Sequence, residues 1–286
     1  AGTNVYLRAN QDITISNAIT ATGSSGGNLS FLAGRDITIN GNITTANGDF
    51  SMRANTSTSY GVVNAQRGTG AADISNNATI NAGTGSVSAI IDAGTGLTND
   101  QPGSISLGNI SAGSIVATGD SATGYITGTS LTASGSGTAI NISGYDIGAI
   151  SSINASNGNW RLSRLASNNS TMNNVPAASF IQYNYSNGDS VLGSGNGILH
   201  GYNPGAITKS YDYVRSGGSS LGYRAVKTYD GTTSTSGVTF GSATVVGANG
   251  LPNEVNVSLS SPSLTYDSKD FNNNNPNLIS QLKDTL

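Results

Sequence analysis

The sequence predicts an all-β chain: a right-handed parallel β-helix followed by a small β-rich module. Three observations predict it. Residues of the same type recur at a spacing of about two dozen positions, each recurrence breaks into short pieces that alternate apolar and polar residues, and Gly, Asn or Asp separates the pieces. Alternation at period two reads as half-buried strand, and the separators read as turns.

The first two copies start at Val5 and Leu29. Asp12 falls on Asp36, Ile13 on Ile37, Ile15 on Ile39 and Ile19 on Ile43, an offset of 24 residues. A third copy starts 21 residues after Leu29, with Phe50-Ser-Met-Arg-Ala54. Degenerate copies follow through Ile74 and Ile80, Val87 and Ile91, Ile105 and Ile110, Ile115, Ile140 and Ile142, and Ile147 and Ile153. A single copy cannot bury its apolar side, whereas stacked copies bury a continuous column of Ile, Val and Leu. About seven coils at the interstrand spacing of ~4.8 Å predict a rod of roughly 35 Å. Gly and Asn at the corners permit positive φ, and stacked Asn amides are expected to bond along the axis. Residues 55–72 interrupt the register and are expected to loop out of one coil.

The composition shifts at Trp160. Residues 1–159 hold four of the twelve Tyr, one of the six Pro, no Lys and no Glu; the remainder holds all four Lys, the sole Glu and the sole Trp. Aromatic residues supply core volume that a regular coil does not need. The expected organisation is therefore a β-helix over 1–160, an irregular aromatic-rich connector or cap over 161–222, and a small β module over 223–286. In that module, runs 223–229 and 232–240 flank Asp230-Gly231, a hairpin signal because a type I′ turn needs positive φ at both central residues. Further strands are expected at 243–246, 254–259 and 264–267.

Composition excludes several functions. Charged residues make up 9% of the chain and glycine 39 of its 286 residues, against a usual ~25% charged. Gly, Ser, Thr and Asn form helices poorly, and a coiled coil lacks its Leu, Glu and Lys. A net charge of −3 gives no basic face for phosphates, so nucleic acid is not an expected partner. The chain has no Cys and one histidine, His200, which excludes a thiolate site and a multi-histidine metal site within one chain. No apolar run is long enough to span a membrane. The chain begins with Ala1 and reads as a processed chain or fragment, and its few charges and absent cysteines suit a secreted bacterial surface protein.

The stretch Ala33-Gly-Arg-Asp-Ile-Thr-Ile39, followed by Asn40-Gly-Asn-Ile43, resembles the β-helical repeats of filamentous haemagglutinin-like exoproteins, large adhesins of two-partner secretion in Gram-negative bacteria. Asn159-Trp-Arg-Leu162, Phe180-Ile-Gln-Tyr-Asn184, Gly195-Asn-Gly-Ile-Leu199 and Lys227-Thr-Tyr-Asp-Gly-Thr-Thr233 are similar to the segment that follows the β-helix in many of them. The last stretch resembles the YDG module. The N-terminal secretion domain of such exoproteins is not evident, and Asn275-Pro-Asn-Leu278 echoes its short motifs at the wrong end. The resemblance implies an internal piece of a longer secreted or cell-surface protein, with an outer-membrane transporter as its export partner and a surface receptor or glycan as its target.

Chemistry-bearing residues are sparse. Sugar hydrolases use clustered carboxylates, but the chain has no Asp-Asp pair and no Glu before Glu254. The Asp12 and Asp36 stack reads as a turn position. Arg8, Arg35 and Arg53 read as corner residues, and His200 as a loop or core histidine. Ser194 lacks the Gly-x-Ser-x-Gly elbow, and the glycine run 23–27 lacks a phosphate-cradling Gly-Lys-Ser/Thr. Asn187-Gly-Asp189 reads as a turn before a calcium site. Trp160, Tyr183, Tyr185 and Tyr202 are the candidate glycan contacts, with core packing or sealing of the coil end as the structural alternative. No catalytic residue, metal or cofactor is assigned.

The expected function is a structural segment of a surface adhesin or extracellular fibre, with end-to-end stacking of exposed terminal coils as a possible mode of assembly. The alternatives are a pectate-lyase-like carbohydrate-active enzyme and a glycan-binding module.

Overall fold

The computed structural model describes residues 2–168, Met172 and 175–204, together with the backbone of 207–214 and 239–247. The described chain is all-β apart from two single-turn 3₁₀ helices, Thr58–Tyr60 and Asn64–Gln66. It divides into two compact units, Ala1–Asn203 and Pro204–Leu286.

The first unit is built from sets of three strands. They are β1 (Val5–Ala9), β2 (Ile13–Ile15) and β3 (Ile19–Thr20); β4 (Leu29–Ala33), β5 (Ile37–Ile39) and β6 (Ile43–Thr44); β7 (Phe50–Ala54), β8 (Ala72–Asn76) and β9 (Thr79–Asn81); and β10 (Ser86–Ile91), β11 (Pro102–Ser106) and β12 (Asn109–Ala112). Then come β13 (Ser114–Thr118), the long β14 (Tyr125–Gly144) and β15 (Asp146–Arg164), and the short β16 (Phe180–Gln182) and β17 (Gly197–His200). Every pairing in this unit is parallel, and each strand pairs with the equivalent strand of the next set. The architecture is solenoid-like.

Register puts like side chains above one another. One inward column runs Val5, Leu29, Phe50, Val87, Ile115, Ile140 and Trp160. A second runs Ile13, Ile37, Ile74, Ile105, Ile126 and Ile147, and a third Ile19, Ile43, Ile80, Ile110, Leu131 and Ile153. Most of these are fully buried, and each buried aliphatic side chain contributes ~1.5–3 kcal/mol. Phe31 meets Phe50 edge-on, with ring centroids 5.1 Å apart. The columns open at their first member: β1 pairs on one side only, leaving Val5 45% and Leu7 37% exposed.

Two devices hold the corners. In the first, a side-chain oxygen accepts the backbone N–H of the equivalent residue in the next coil. Asn4 Oδ1 accepts from Asn28 N (2.9 Å), Asn28 Oδ1 from Asp49 N (2.9 Å) and Asp49 Oδ1 from Ser86 N (2.8 Å). Amide-to-amide stacking, the expectation for the corner asparagines, occurs where Asn77 Nδ2 donates to Asn40 Oδ1 (2.9 Å). Side chain to backbone is the commoner solution because it satisfies an N–H that the corner takes out of the strand ladder. The second device is a spine of glycines. A Cβ built on Gly48 would fall 2.2 Å from the Gly27 carbonyl oxygen, so the corner closes only without a side chain.

The composition shift at Trp160 falls inside β15, not at a unit boundary. Trp160 continues the inward column, and β17 then pairs with the end of β15, placing Ile198 beside Leu162. The aromatic-rich stretch after Trp160 thus belongs to the first unit as far as Asn203, because its apolar residues close the same core.

In the second unit, β18 (Ile207–Val214) pairs antiparallel with β19 (Thr239–Gly247). The strand expected at 243–246 lies within β19. Residues 207–214, expected to be irregular, form a strand, whose Ile-Thr-Lys-Ser-Tyr-Asp-Tyr-Val sequence does carry alternation and β-prone residues. The Asp230-Gly231 hairpin turn, the run 223–229 and the strands expected at 254–259 and 264–267 lie outside the described residues.

Candidate functional site

The interruption after Ala54 emerges as an insertion over 55–71, carrying both 3₁₀ turns. A second insertion, 92–101, leaves the next coil at the same corner, between β10 and β11. The sequence reading missed it. Its signal was the spacing of Ile74 and Ile105, 31 residues where coils without an insertion take 21 to 24, filled by Ala93-Gly-Thr-Gly-Leu-Thr-Asn-Asp100.

The two insertions share one polar network. Arg67, 5% exposed, donates from Nε to the Gly34 carbonyl (2.7 Å), from Nη1 to the carbonyls of Gly68 (3.0 Å) and Asn99, and from Nη2 to Asn55 Oδ1 (2.7 Å). Asn55 is buried in the left-handed region at φ 54°, and its Nδ2 donates to the Asp92 carbonyl (2.8 Å) and to Asp100 Oδ1 (2.5 Å). Thr98 N donates to Asn64 Oδ1 (2.9 Å). Burial pulls the Arg67 guanidinium below its ordinary range, against the opposing pull of Asp100. Five guanidinium N–H groups in a fixed fork suit this position, since several carbonyls converge there from different segments.

Beside the network, Arg53 Nη1 lies 2.5 Å from Asp92 Oδ1, and the Arg53 guanidinium carbon sits 5.3 Å from the centre of the Tyr60 ring. The other Asp92 oxygen is buried with no hydrogen-bond partner. Burial pushes the Asp92 carboxyl up, partly countered by Arg53. Tyr60 and Val63 stand exposed on the first insertion. Arg53 thus bridges the two insertions, pairing with Asp92 at the start of the second and lying over the Tyr60 ring of the first.

Arg35 lies at the corner between β4 and β5, as read from the sequence, and grips Asp12 with Nε–Oδ1 at 2.8 Å and Nη2–Oδ2 at 2.5 Å. Asp12 is held below the usual carboxylate range chiefly by that hydrogen bond; Asp36 is pushed up, chiefly by burial. Arg8 and Arg53 are not corner residues. They lie within β1 and β7, both in register with Leu32 of β4.

The four candidate glycan contacts do not form one surface. Trp160 is 2% exposed within the core and Tyr202 5% exposed, so their ring faces are closed to a sugar. Tyr183 is half-buried and stacks on the fully buried His200, centroids 5.2 Å apart and planes 8° apart. Tyr202 meets Tyr183 edge-on at 6.5 Å. Tyr185 is half-buried, its N–H donating to the His200 carbonyl (2.9 Å). Packing wins here because large rings fill volume where the regular coil ends. Ser194 is exposed, and Asp189 accepts the Ser186 amide (2.6 Å) to close a turn.

Among the described residues no group of three or more His, Cys, Asp or Glu is arranged to hold a metal ion, and no helix is long and apolar enough to cross a membrane. Comparison with family models, with curated proteins and with solved structures returns no match.

Proposed function

We propose that this chain is a structural segment of a secreted bacterial surface adhesin or extracellular fibre, acting in cell adhesion or biofilm contact. In this reading the parallel strands form a right-handed β-helix, and residues 223–286 form a YDG-like module, the assignment suggested by Lys227-Thr-Tyr-Asp-Gly-Thr-Thr233. The observation that carries the reading is the inward column from Val5 to Trp160. A stack with such columns extends by repetition, so length costs no wider core. The paired insertions at 55–71 and 92–101 are the display element on this scaffold. Export by an outer-membrane transporter and a location on the Gram-negative cell surface belong to the same reading.

Surface display tests it. The chain is anchored on a non-adherent bacterium, and aggregation and attachment are scored beside a variant with 58–70 and 93–99 replaced by Gly-Ser linkers. The expected outcome is adhesion with the native chain and loss of adhesion, at equal display, with the variant. Turnover of polygalacturonate or another uronate by the purified chain would overturn the reading in favour of a carbohydrate-active enzyme. Self-association through the open β1 edge is a companion proposal. Sedimentation that stays monomeric at high concentration would exclude it.

A further inference from the structure

The chain carries Asn-Gly at Asn40, Asn47, Asn157, Asn187, Asn196 and Asn249, the last outside the described residues. Asparagine is chemically labile, and a following glycine has no side chain to obstruct attack by its own amide nitrogen. All five described pairs share that sequence, so the fold alone distinguishes them.

Four are held by the stack. Asn40 Oδ1 accepts from Asn77 Nδ2 (2.9 Å), while Gly41 N donates to the Ile15 carbonyl (3.1 Å). Asn47 Oδ1 accepts from Thr84 N (2.9 Å), its Nδ2 donates to the Ser24 carbonyl (3.1 Å), and Gly48 N donates to the Thr45 carbonyl (3.1 Å). Asn157 Nδ2 donates to the Ser134 carbonyl (3.0 Å), and Gly158 lies within β15. Asn196 Oδ1 accepts from Trp160 N (3.1 Å), and Gly197 opens β17. Each side-chain amide is thus tied to another coil or strand, which restrains the rotation that attack by the following nitrogen requires.

Asn187 is different. It is exposed at the tip of the turn Ser186–Asp189, which is closed by Asp189 N donating to the Ser186 carbonyl (3.0 Å) and Ser186 N donating to Asp189 Oδ2 (2.6 Å). Neither bond engages the Asn187 side chain or the Gly188 amide, and Gly188 has φ +99°. We propose that Asn187 is a site of spontaneous modification, losing its amide to give aspartyl and isoaspartyl forms while the four tied asparagines persist. The deprotonated Gly188 nitrogen adds to Asn187 Cγ, the Cγ–Nδ2 bond breaks, and ammonia leaves with the proton given up by Gly188. Water then opens the cyclic imide at either carbonyl. The product places a new carboxylate two residues from Asp189, and the isoaspartyl form lengthens the backbone at the turn.

The test is an incubation of the purified full chain in mildly alkaline buffer, native and in concentrated urea, followed by peptide mapping and by methyl transfer from an isoaspartyl methyltransferase. In the native chain the Asn187 peptide is expected to convert about tenfold faster than each of the other four, a barrier difference of ~1.4 kcal/mol. In urea the five rates are expected to converge. An Asn187→Gln chain is expected to lose the native methyl-acceptor signal that maps to that peptide. A native Asn187 rate no greater than that of Asn40 or Asn47 would overturn the proposal, as would a native chain whose peptide at Asn187 accepts no methyl group.

Discussion

Asp12 Oδ1 lies 3.1 Å from the amide nitrogen of Asp36, its counterpart in the next coil. The contact repeats along the stack: Asp36 Oδ1 accepts from Asp73 N (3.0 Å), and Asp73 Oδ1 from Ser104 N (2.6 Å). A carboxylate row that resembles an acid cluster is therefore a staircase of backbone caps. Its first step tests the idea. Asp12→Asn keeps an acceptor for Asp36 N and loses the Arg35 ion pair, which is about one-third exposed, so the expected loss is at most ~1 kcal/mol. Asp12→Ala also orphans the amide, and is expected to cost ~1–3 kcal/mol more. Urea unfolding of both variants measures the difference; equal losses would remove the capping role.

Acid titration separates two aspartates of opposite sign. The Asp12 carboxylate is favoured by the fold through the Arg35 hydrogen bond, so its folded value lies below its unfolded value. Its contribution is complete above the unfolded carboxylate value of ~3.9 and is lost as pH falls through the lowered folded value. Asp92 is raised by burial, so its contribution is complete below the unfolded value and is lost as pH rises through the folded one. The stability gap between the native chain and Asp12→Asn is thus expected to shrink on acidification. Asp92→Asn is expected to gain on the native chain as pH rises toward neutrality. Urea midpoints measured across the acid range check both slopes.

Gly48→Ala is expected to destabilise the first unit by ~1–3 kcal/mol, since the added methyl meets the Gly27 carbonyl and the corner must shift to admit it. Gly188→Ala serves as the comparison, because nothing lies within 4 Å of a Cβ there and only its positive φ opposes the change. Thermal melts of the two variants should rank Gly48→Ala as the more damaging.

Arg67→Met removes the guanidinium donors to the Gly34, Gly68 and Asn99 carbonyls and to Asn55 Oδ1, while the bonds from Asn55 Nδ2 to Asp92 and Asp100 remain. Each acceptor left buried and unpaired costs ~1–3 kcal/mol. The expected result is faster amide exchange over 55–71 and 92–101, with the β5 and β8 amides still protected. Uniform loss of protection throughout the stack would place Arg67 in the global core instead.

Trp160→Ala is expected to lower stability by ~3–5 kcal/mol, the range for emptying a large buried aromatic site. A melting shift well below that range would show that the indole is not the core member its 2% exposure indicates.

Much of the fold was legible in the sequence, but only part of the site. Ile13, Ile37 and Ile74 share a column because their separation is set by coil length, and the alternation marks which side turns inward. The insertion after Ala54 showed as a gap in that register. The 92–101 insertion did not, because degenerate copies on either side hid the extra length. Trp160 looked like a boundary because composition changed there, yet an aromatic ring can continue an aliphatic column where the volume allows.

The sequence by itself determined the all-β character, the inward columns and the corners, since these depend on residue spacing and on local backbone preference. The tertiary structure alone decided that Asp12 caps Asp36, that Gly48 must lack a side chain, and that Arg67 joins two insertions at one corner. Those outcomes arise from contacts between residues 21 to 37 positions apart. Which oxygen meets which amide, and which cavity a guanidinium fills, is set by how neighbouring coils settle on one another, and no local pattern in the chain encodes it.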